Sequence, residues 1–212
     1  MTLCVQNGKV VQFSHYFYQS HLADIPLGGV VDPVSTVALK EPGGGAFSLH
    51  FVGNGSNGSA PLNFDNSVGL AGVWKGANGA SLPVALSVDF GAGCPARGQW
   101  YREITSQSDA QFEARVQGFT KTVLAGDRAG TARHVHFPLT VNLDGKTIEV
   151  RTPADLDRRW DEIFAPLWLK ALAGTLPHDL FVKPGDGAAM IGDGLVWFDE
   201  HGARTINAKP PS

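Results

Sequence analysis

The 212 residues include only two cysteines and no run of eighteen apolar residues. The second shortage leaves no segment that reads as a membrane-crossing helix. Basic charge is scarce too: 17 Lys and Arg stand against 20 Asp and Glu, a formal net charge of −3. Nucleic-acid binding asks for a concentrated basic face, so that class is set aside. Catalytic signatures are also missing. There is no Gly-x-Ser-x-Gly elbow, Cys-x-x-Cys pair, Walker loop or His-Glu-x-x-His segment. A triad assembled from distant positions stays open. No tyrosine follows Tyr101. The first eight residues lack the charged and apolar regions of a signal peptide.

The two cysteines, Cys4 and Cys94, leave two alternatives. They close a loop of about ninety residues, worth on the order of 4 kcal/mol by chain entropy, or they are separate thiols of a cytosolic protein.

What is present changes character near residue 99. Residues 1–98 hold nine charged side chains and sixteen glycines; residues 99–212 hold twenty-eight and ten. Such a shift predicts two units, 1–98 and 105–208, the first glycine-rich and β-like, the second charged and partly helical.

In the first unit, strands are expected at Val10–Tyr18, Ile25–Val31, Val34–Lys40, Ala46–Val52, Val68–Lys75 and Leu82–Phe90. Glycine- and asparagine-rich turns separate them, which predicts an antiparallel meander, closed as a small barrel or open as a curved sheet. Gly53-Asn54-Gly55-Ser56-Asn57-Gly58 has the spacing of a dinucleotide loop, but no helical period follows it, so it reads as a hairpin loop. His15-Tyr16-Phe17-Tyr18, Ile25-Pro26-Leu27-Gly28-Gly29, Val37-Ala38-Leu39-Lys40-Glu41, Leu70-Ala71-Gly72-Val73-Trp74-Lys75 and Leu82-Pro83-Val84 follow in order. Together they resemble a β module of uncharacterised exported bacterial proteins. The resemblance implies architecture and compartment, the periplasm or the exterior with the leader absent from this chain. The cytoplasm is the alternative.

In the second unit, Ser108-Asp109-Ala110-Gln111 reads as a capping box. Phe112, Val116, Phe119 and Val123 continue it as an amphipathic helix to about Leu124, with a short helix over Arg128–Arg133. Val135–Leu143 alternates as a strand and turns at Asp144-Gly145 into Lys146–Arg151. Thr152-Pro153-Ala154-Asp155 starts a helix with Leu156, Trp160, Ile163, Phe164 and Leu167 on its buried stripe, broken near Pro166. Strands at Leu180–Lys183, Ala188–Ile191, Leu195–Phe198 and Ala203–Asn207 complete an α+β fold, a curved antiparallel sheet wrapped on helices. This order, with Asp179-Leu180-Phe181-Val182, Ala189-Met190-Ile191-Gly192-Asp193-Gly194 and Val196-Trp197-Phe198-Asp199, resembles the nuclear-transport-factor-2-like superfamily, the cystatin-like cone. The resemblance implies a pocket between sheet and helices and a homodimer through the sheet. Family members include dehydratases and isomerases as well as scaffolds without chemistry.

His134-Val135-His136 puts two imidazoles on one face of a strand, as candidate metal ligands or a catalytic base. A third ligand would come from His178, Asp179 or a helix carboxylate. Against this, isolated histidine pairs rarely make a site. Asp155, Asp157, Asp161 and Glu162 offer a general base, but Asp155–Arg159 and Arg158–Glu162 are spaced as surface ion pairs. Trp160, Phe164 and Trp197 are candidate ligand-binding residues, and with Trp168, Phe181 and Phe198 they equally suit a core.

The expectation is a non-catalytic, exported two-module binding protein. It takes a protein partner or a small apolar ligand, one version being a periplasmic inhibitor or immunity protein. No cofactor is expected. The alternative is a cone-fold lyase or isomerase with His134 or His136 as base, oriented by a helix acid.

Overall fold

Alternation of apolar and polar residues decides the first elements. The computed structural model describes residues 1–11, 13–32, 36–55, 60–87 and 98–209. They divide into two compact units, Met1–Arg97 and Gly98–Ser212.

The first unit contains strands β1 (Val5–Gln6), β2 (Lys9–Val10), β3 (His15–Tyr16), β4 (Ile25–Pro26), β5 (Gly28–Val31), β6 (Thr36–Lys40), β7 (Ala46–Val52), β8 (Gly69–Lys75) and β9 (Ser81–Ser87). Seven of them form one antiparallel sheet in the order β1-β2-β5-β6-β7-β8-β9, while β3 pairs with β4 alone. Among the described residues the strands follow one another as an antiparallel meander, and nothing joins β9 to β1. Val37 and Leu39 of β6, Phe47, Leu49 and Phe51 of β7 and Leu70 of β8 fall on one buried face. Register lines up Leu39, Phe47, Trp74 and Leu82 across four strands. Gly29 and Gly72 sit where a Cβ would come within 2.1 Å of the carbonyl oxygens of Ala38 and Ser48, so strands pass there at a distance only glycine permits.

Two expected strands are corrected. Val10–Tyr18 is interrupted at Phe13, whose φ of +97° turns the chain, leaving β2 and β3 in different sheets. Ile25–Val31 divides into β4 and β5 for the same reason: β4 follows β3 out of the main sheet. The start of the Val34–Lys40 strand, the end of the Leu82–Phe90 strand and the second half of the Gly53–Gly58 loop lie outside the described residues. Cys4 is buried and disulfide-bonded, with Ser14 Oγ accepting from its N–H at 2.8 Å. Cys94 lies outside the described residues.

The second unit is α+β. Helix α1 (Asp109–Leu124) starts at the Ser108–Gln111 capping box, and α2 (Arg128–Ala132) starts at Asp127, whose side chain accepts from Gly130 N–H. Strands β10 (Val135–Leu143) and β11 (Lys146–Val150) form a hairpin. The next helical region is three short pieces, α3 (Pro153–Arg158), α4 (Trp160–Ile163) and α5 (Pro166–Ala173). The expected single break at Pro166 is joined by another at Arg159, where the backbone leaves helical geometry. Strands β12 (Phe181–Lys183), β13 (Ala188–Ile191), β14 (Val196–Asp199) and β15 (Gly202–Asn207) follow. The sheet runs β11-β10-β15-β14-β13-β12, antiparallel except that β10 and β15 are parallel. Its core gathers Phe112, Val116 and Phe119 of α1, the buried residues of α3 to α5, and Val196, Phe198 and Ile206 of the sheet. No helix among the described residues is long and apolar enough to cross a membrane.

Candidate functional site

Two histidines at the start of β10 are sent to different surroundings. His134 precedes β10 and lies against α1 where Gly118 leaves room; a Cβ there would fall 2.3 Å from its Cε1. Burial, then Arg133 and Arg115, lowers its pKa from 6.5. His136 places Nδ1 2.6 Å from Asp199 Oδ2, with the side chain 40 % exposed. Asp199 is held in turn by the N–H groups of His201 and Gly202. The acid that orients His136 is therefore at the end of β14, not on a helix. Neither histidine belongs to any close group of three His, Cys, Asp or Glu ligand atoms among the described residues.

The helix acids all lie in surface ion pairs. Asp155 pairs with Arg158, Glu162 with Arg159 at 3.0 Å, and Asp157 and Asp161 with Arg128 at 3.1 and 3.5 Å. The pairs Asp155–Arg158 and Arg159–Glu162 are three residues apart instead of the expected four. The Thr152 hydroxyl, with Arg158 adding to it, holds the Asp155 carboxyl below its ordinary range.

The aromatic residues separate as well. Phe164 contacts Trp160, Trp168 and Phe119 with ring centroids 4.4, 5.0 and 6.5 Å apart, and all four are buried. Trp168 Nε1 donates to Asn207 O at 2.9 Å. Trp197 lies on β14 in register with Met190 and Thr205, with Lys183 Nζ 5.6 Å from its ring. It is not among the core residues that surround Trp160 and Phe164. A shallow open groove beside α5, lined by Leu167, Lys170, Thr175 and Asp193 among others, brings no reactive groups together.

His178 and Asp179 do meet a third group, the acid Glu113 of α1, and the three are close enough to hold a cation. Glu113 is nevertheless occupied within the fold. Its Oε2 is 2.5 Å from His178 Nδ1, and its Oε1 accepts from Tyr101 Oη at 2.8 Å and Asp179 N–H at 3.1 Å. Tyr101 Oη also accepts from Leu180 N–H at 3.0 Å. Burial, then the Glu113 charge, pushes the Tyr101 pKa well up. This network ties α1 to the segments before α1 and before β12. Sequence reasoning passed over Glu113, whose only signal was a carboxylate beside the Phe112–Val116 stripe.

A second cluster lies wholly within the first unit. Tyr16 Oη donates to Glu41 Oε2, and the Tyr16 ring meets Phe47 and Tyr18 edge to face at 5.3 and 5.5 Å. Burial, then Glu41, raises the Tyr16 pKa. A Cβ on Gly45 would lie 1.8 Å from Glu41 Oε1 and 2.8 Å from Trp74 Nε1, and one on Gly76 would lie 2.8 Å from Trp74 Cη2. The indole thus occupies room left by glycines of two turns. Its buried N–H has no partner among the described residues. Tyr18 and Leu82 border the cluster, 47 % and 55 % exposed. Tyr16, Tyr18, Glu41, Trp74 and Leu82 all belong to the strand motifs noted in the sequence, where nothing showed that they converge.

Comparison with protein-family models, with curated proteins and with solved structures finds no match to this chain.

Proposed function

We propose that this is a non-catalytic binding protein of two modules, with its ligand site on the first. The observation that carries this reading is the aromatic cluster around Glu41, where a buried indole N–H has no partner among the described residues. A buried donor left unpaired costs about 1–3 kcal/mol, so one that persists in a native fold asks for an explanation, and a bound group is one. The second unit is the scaffold in this reading. Support comes from its interior, where Trp160, Phe164 and Trp168 close on one another and the buried acid is fully bonded. Its element order suits a nuclear-transport-factor-2-like cone with a filled interior, and the first module's motifs suit an exported bacterial protein.

A second reading is favoured by one contact. His136, held through Nδ1 by Asp199 and partly exposed, has the geometry of a general base, as a cone-fold lyase or isomerase would need.

Thermal-shift titration separates the two. An oligosaccharide, a quaternary ammonium salt, an arginine-containing peptide and a fatty acid serve as probes. Binding to the native state alone raises Tm. At least one probe is expected to raise it, with the effect lost in Glu41→Gln and kept in His136→Ala. No rise with any probe, or a rise lost only in His136→Ala, overturns the binding reading.

A further inference from the structure

We propose that the exposed face of the seven-stranded sheet docks an anionic polysaccharide. Alternation sorts its strands: Val37, Leu39, Phe47 and Leu49 turn into the core, so the residues between them turn out. Register gathers the outward residues into rows. Lys40, Ala46, Lys75 and Ser81 form one row across β6 to β9, and Lys9 stands in the next, in line with Ser48. Lys9, Lys40 and Lys75 are all the lysines of the first unit, and none of the seven strands carries an acidic residue. Two acids directly follow strands of this sheet. Glu41 turns its carboxylate to Tyr16 on the core side, and Asp32 lies beside Thr36, at the opposite end of β6 from Lys40. Arg128, Arg158 and Arg159 of the second unit are held by acids. Among the described residues the side chains of the three lysines have no such ion pair and no hydrogen bond.

Lysine on a sheet commonly guards an edge strand against pairing. Lys40 and Lys75 stand on the interior strands β6 and β8, and the edge strand β9 already carries Pro83. Charge complementarity therefore asks for an anion, and the relief of the face selects its kind. From β5 to β9, lysines and His50 apart, no outward side chain is larger than valine. A protein partner is anchored by aromatic or arginine side chains. A bilayer takes apolar side chains that enter it, or roughly four to eight clustered cations. Single-stranded nucleic acid takes stacking aromatics. The face offers none of these anchors. Lys40 and Lys75 are two strand spacings apart, about 10 Å, with only Ala46 between them. A sugar ring and its linkage take up about one strand spacing of an extended chain. Carboxylates on alternate rings thus reach both ammonium groups, and Ser48 and Ser81 offer hydroxyls to the rings between.

The test is calorimetric titration of the full chain with hyaluronan and with polygalacturonate, and with neutral dextran as the control. At least one acidic polymer is expected to bind, dextran is not, and affinity should fall at least tenfold from about 50 mM to about 200 mM salt. Lys40→Glu with Lys75→Glu should weaken binding at least tenfold, while the charge-matched pair Lys121→Glu with Lys146→Glu on the second unit should leave it within twofold. Lys40→Gln with Lys75→Gln gives the same reading without charge reversal if the glutamates disturb the sheet. No binding of either polymer overturns the assignment, as does equal weakening by the two glutamate pairs. So does binding to phosphatidylglycerol vesicles or single-stranded DNA, lost in Lys40→Glu with Lys75→Glu, where neither polysaccharide binds. The Glu41 cluster lies on the core side of the same sheet, so the two sites stand or fall separately.

Discussion

His178 Nδ1 and Glu113 Oε2 lie 2.5 Å apart, and both side chains are less than one-tenth exposed. Charged or shared-proton pairs this deep are costly to leave half-made. Tyr101 completes the arrangement by donating a hydrogen bond to Glu113 while accepting one from Leu180 N–H. Tyr101→Phe therefore strips a donor from a buried carboxylate and an acceptor from a buried amide. It should lower stability by about 1–3 kcal/mol, and Glu113→Ala by about 3–5 kcal/mol. Urea denaturation followed by tryptophan fluorescence measures both. A change below about 0.5 kcal/mol for both variants would show that the network does not hold the second unit together.

Two glycines two residues apart should respond unequally. A methyl on Gly45 would meet Glu41 Oε1 and Trp74 Nε1, whereas one on Gly43 meets nothing. Gly45→Ala is expected to displace Glu41 from Tyr16 and cost about 1–3 kcal/mol, as overpacking does. Gly43→Ala should stay within about 0.5 kcal/mol of the parent. Calorimetric Tm values for the pair decide it; equal effects would mean the turn, not the cluster, sets the requirement.

Acid should cost stability through His134. Its folded pKa lies below the ordinary 6.5, so the unfolded chain takes up the proton first as pH falls. Nothing is lost above about pH 7, the loss grows through 6.5, and it levels off below the lowered folded value. His134→Gln should flatten that part of the profile relative to the parent, measured as urea midpoints from pH 8 to pH 5. A variant profile parallel to the parent's would contradict the assignment.

Phe164→Ala tests whether the aromatic residues of the second unit are core. Phe164 is buried against Trp160, Trp168 and Phe119, so truncation should cost about 3–5 kcal/mol. A ligand-pocket residue with room beside it would cost much less. Chemical denaturation of the variant gives the number directly.

How far the sequence reached depended on range. The capping box at Ser108–Gln111, the Thr152 cap and the hairpin at Asp144-Gly145 depend on neighbours within a few residues, and all three stand in the structure. The break at Phe13 was not legible, because a bulky aromatic at positive φ goes against local preference and is held by its surroundings. The parallel pairing of β10 with β15 was equally out of reach, since local pattern does not carry strand order. Among site residues, His178 and Asp179 were picked out as possible ligands, but their acid, Glu113, is 65 positions from His178. His136 was singled out without Asp199, which is 63 away. Pairs at that separation are matters of topology.

The parallel join of β10 to β15 also bears on how this unit comes into being on the ribosome. Val135 meets Ala203, and Val141 meets Ile206, so the sheet's centre is made from its earliest and latest strands. Until Gly202–Asn207 has emerged, β10 has only β11 beside it, and the apolar residues of α1 and β10 lack Ile206 and Phe198's seated neighbour Ala203. Contacts of such long range form late and slowly. The nascent second unit therefore stays incomplete, with apolar surface uncovered, until β15 has left the ribosome, and such a state is prone to aggregate.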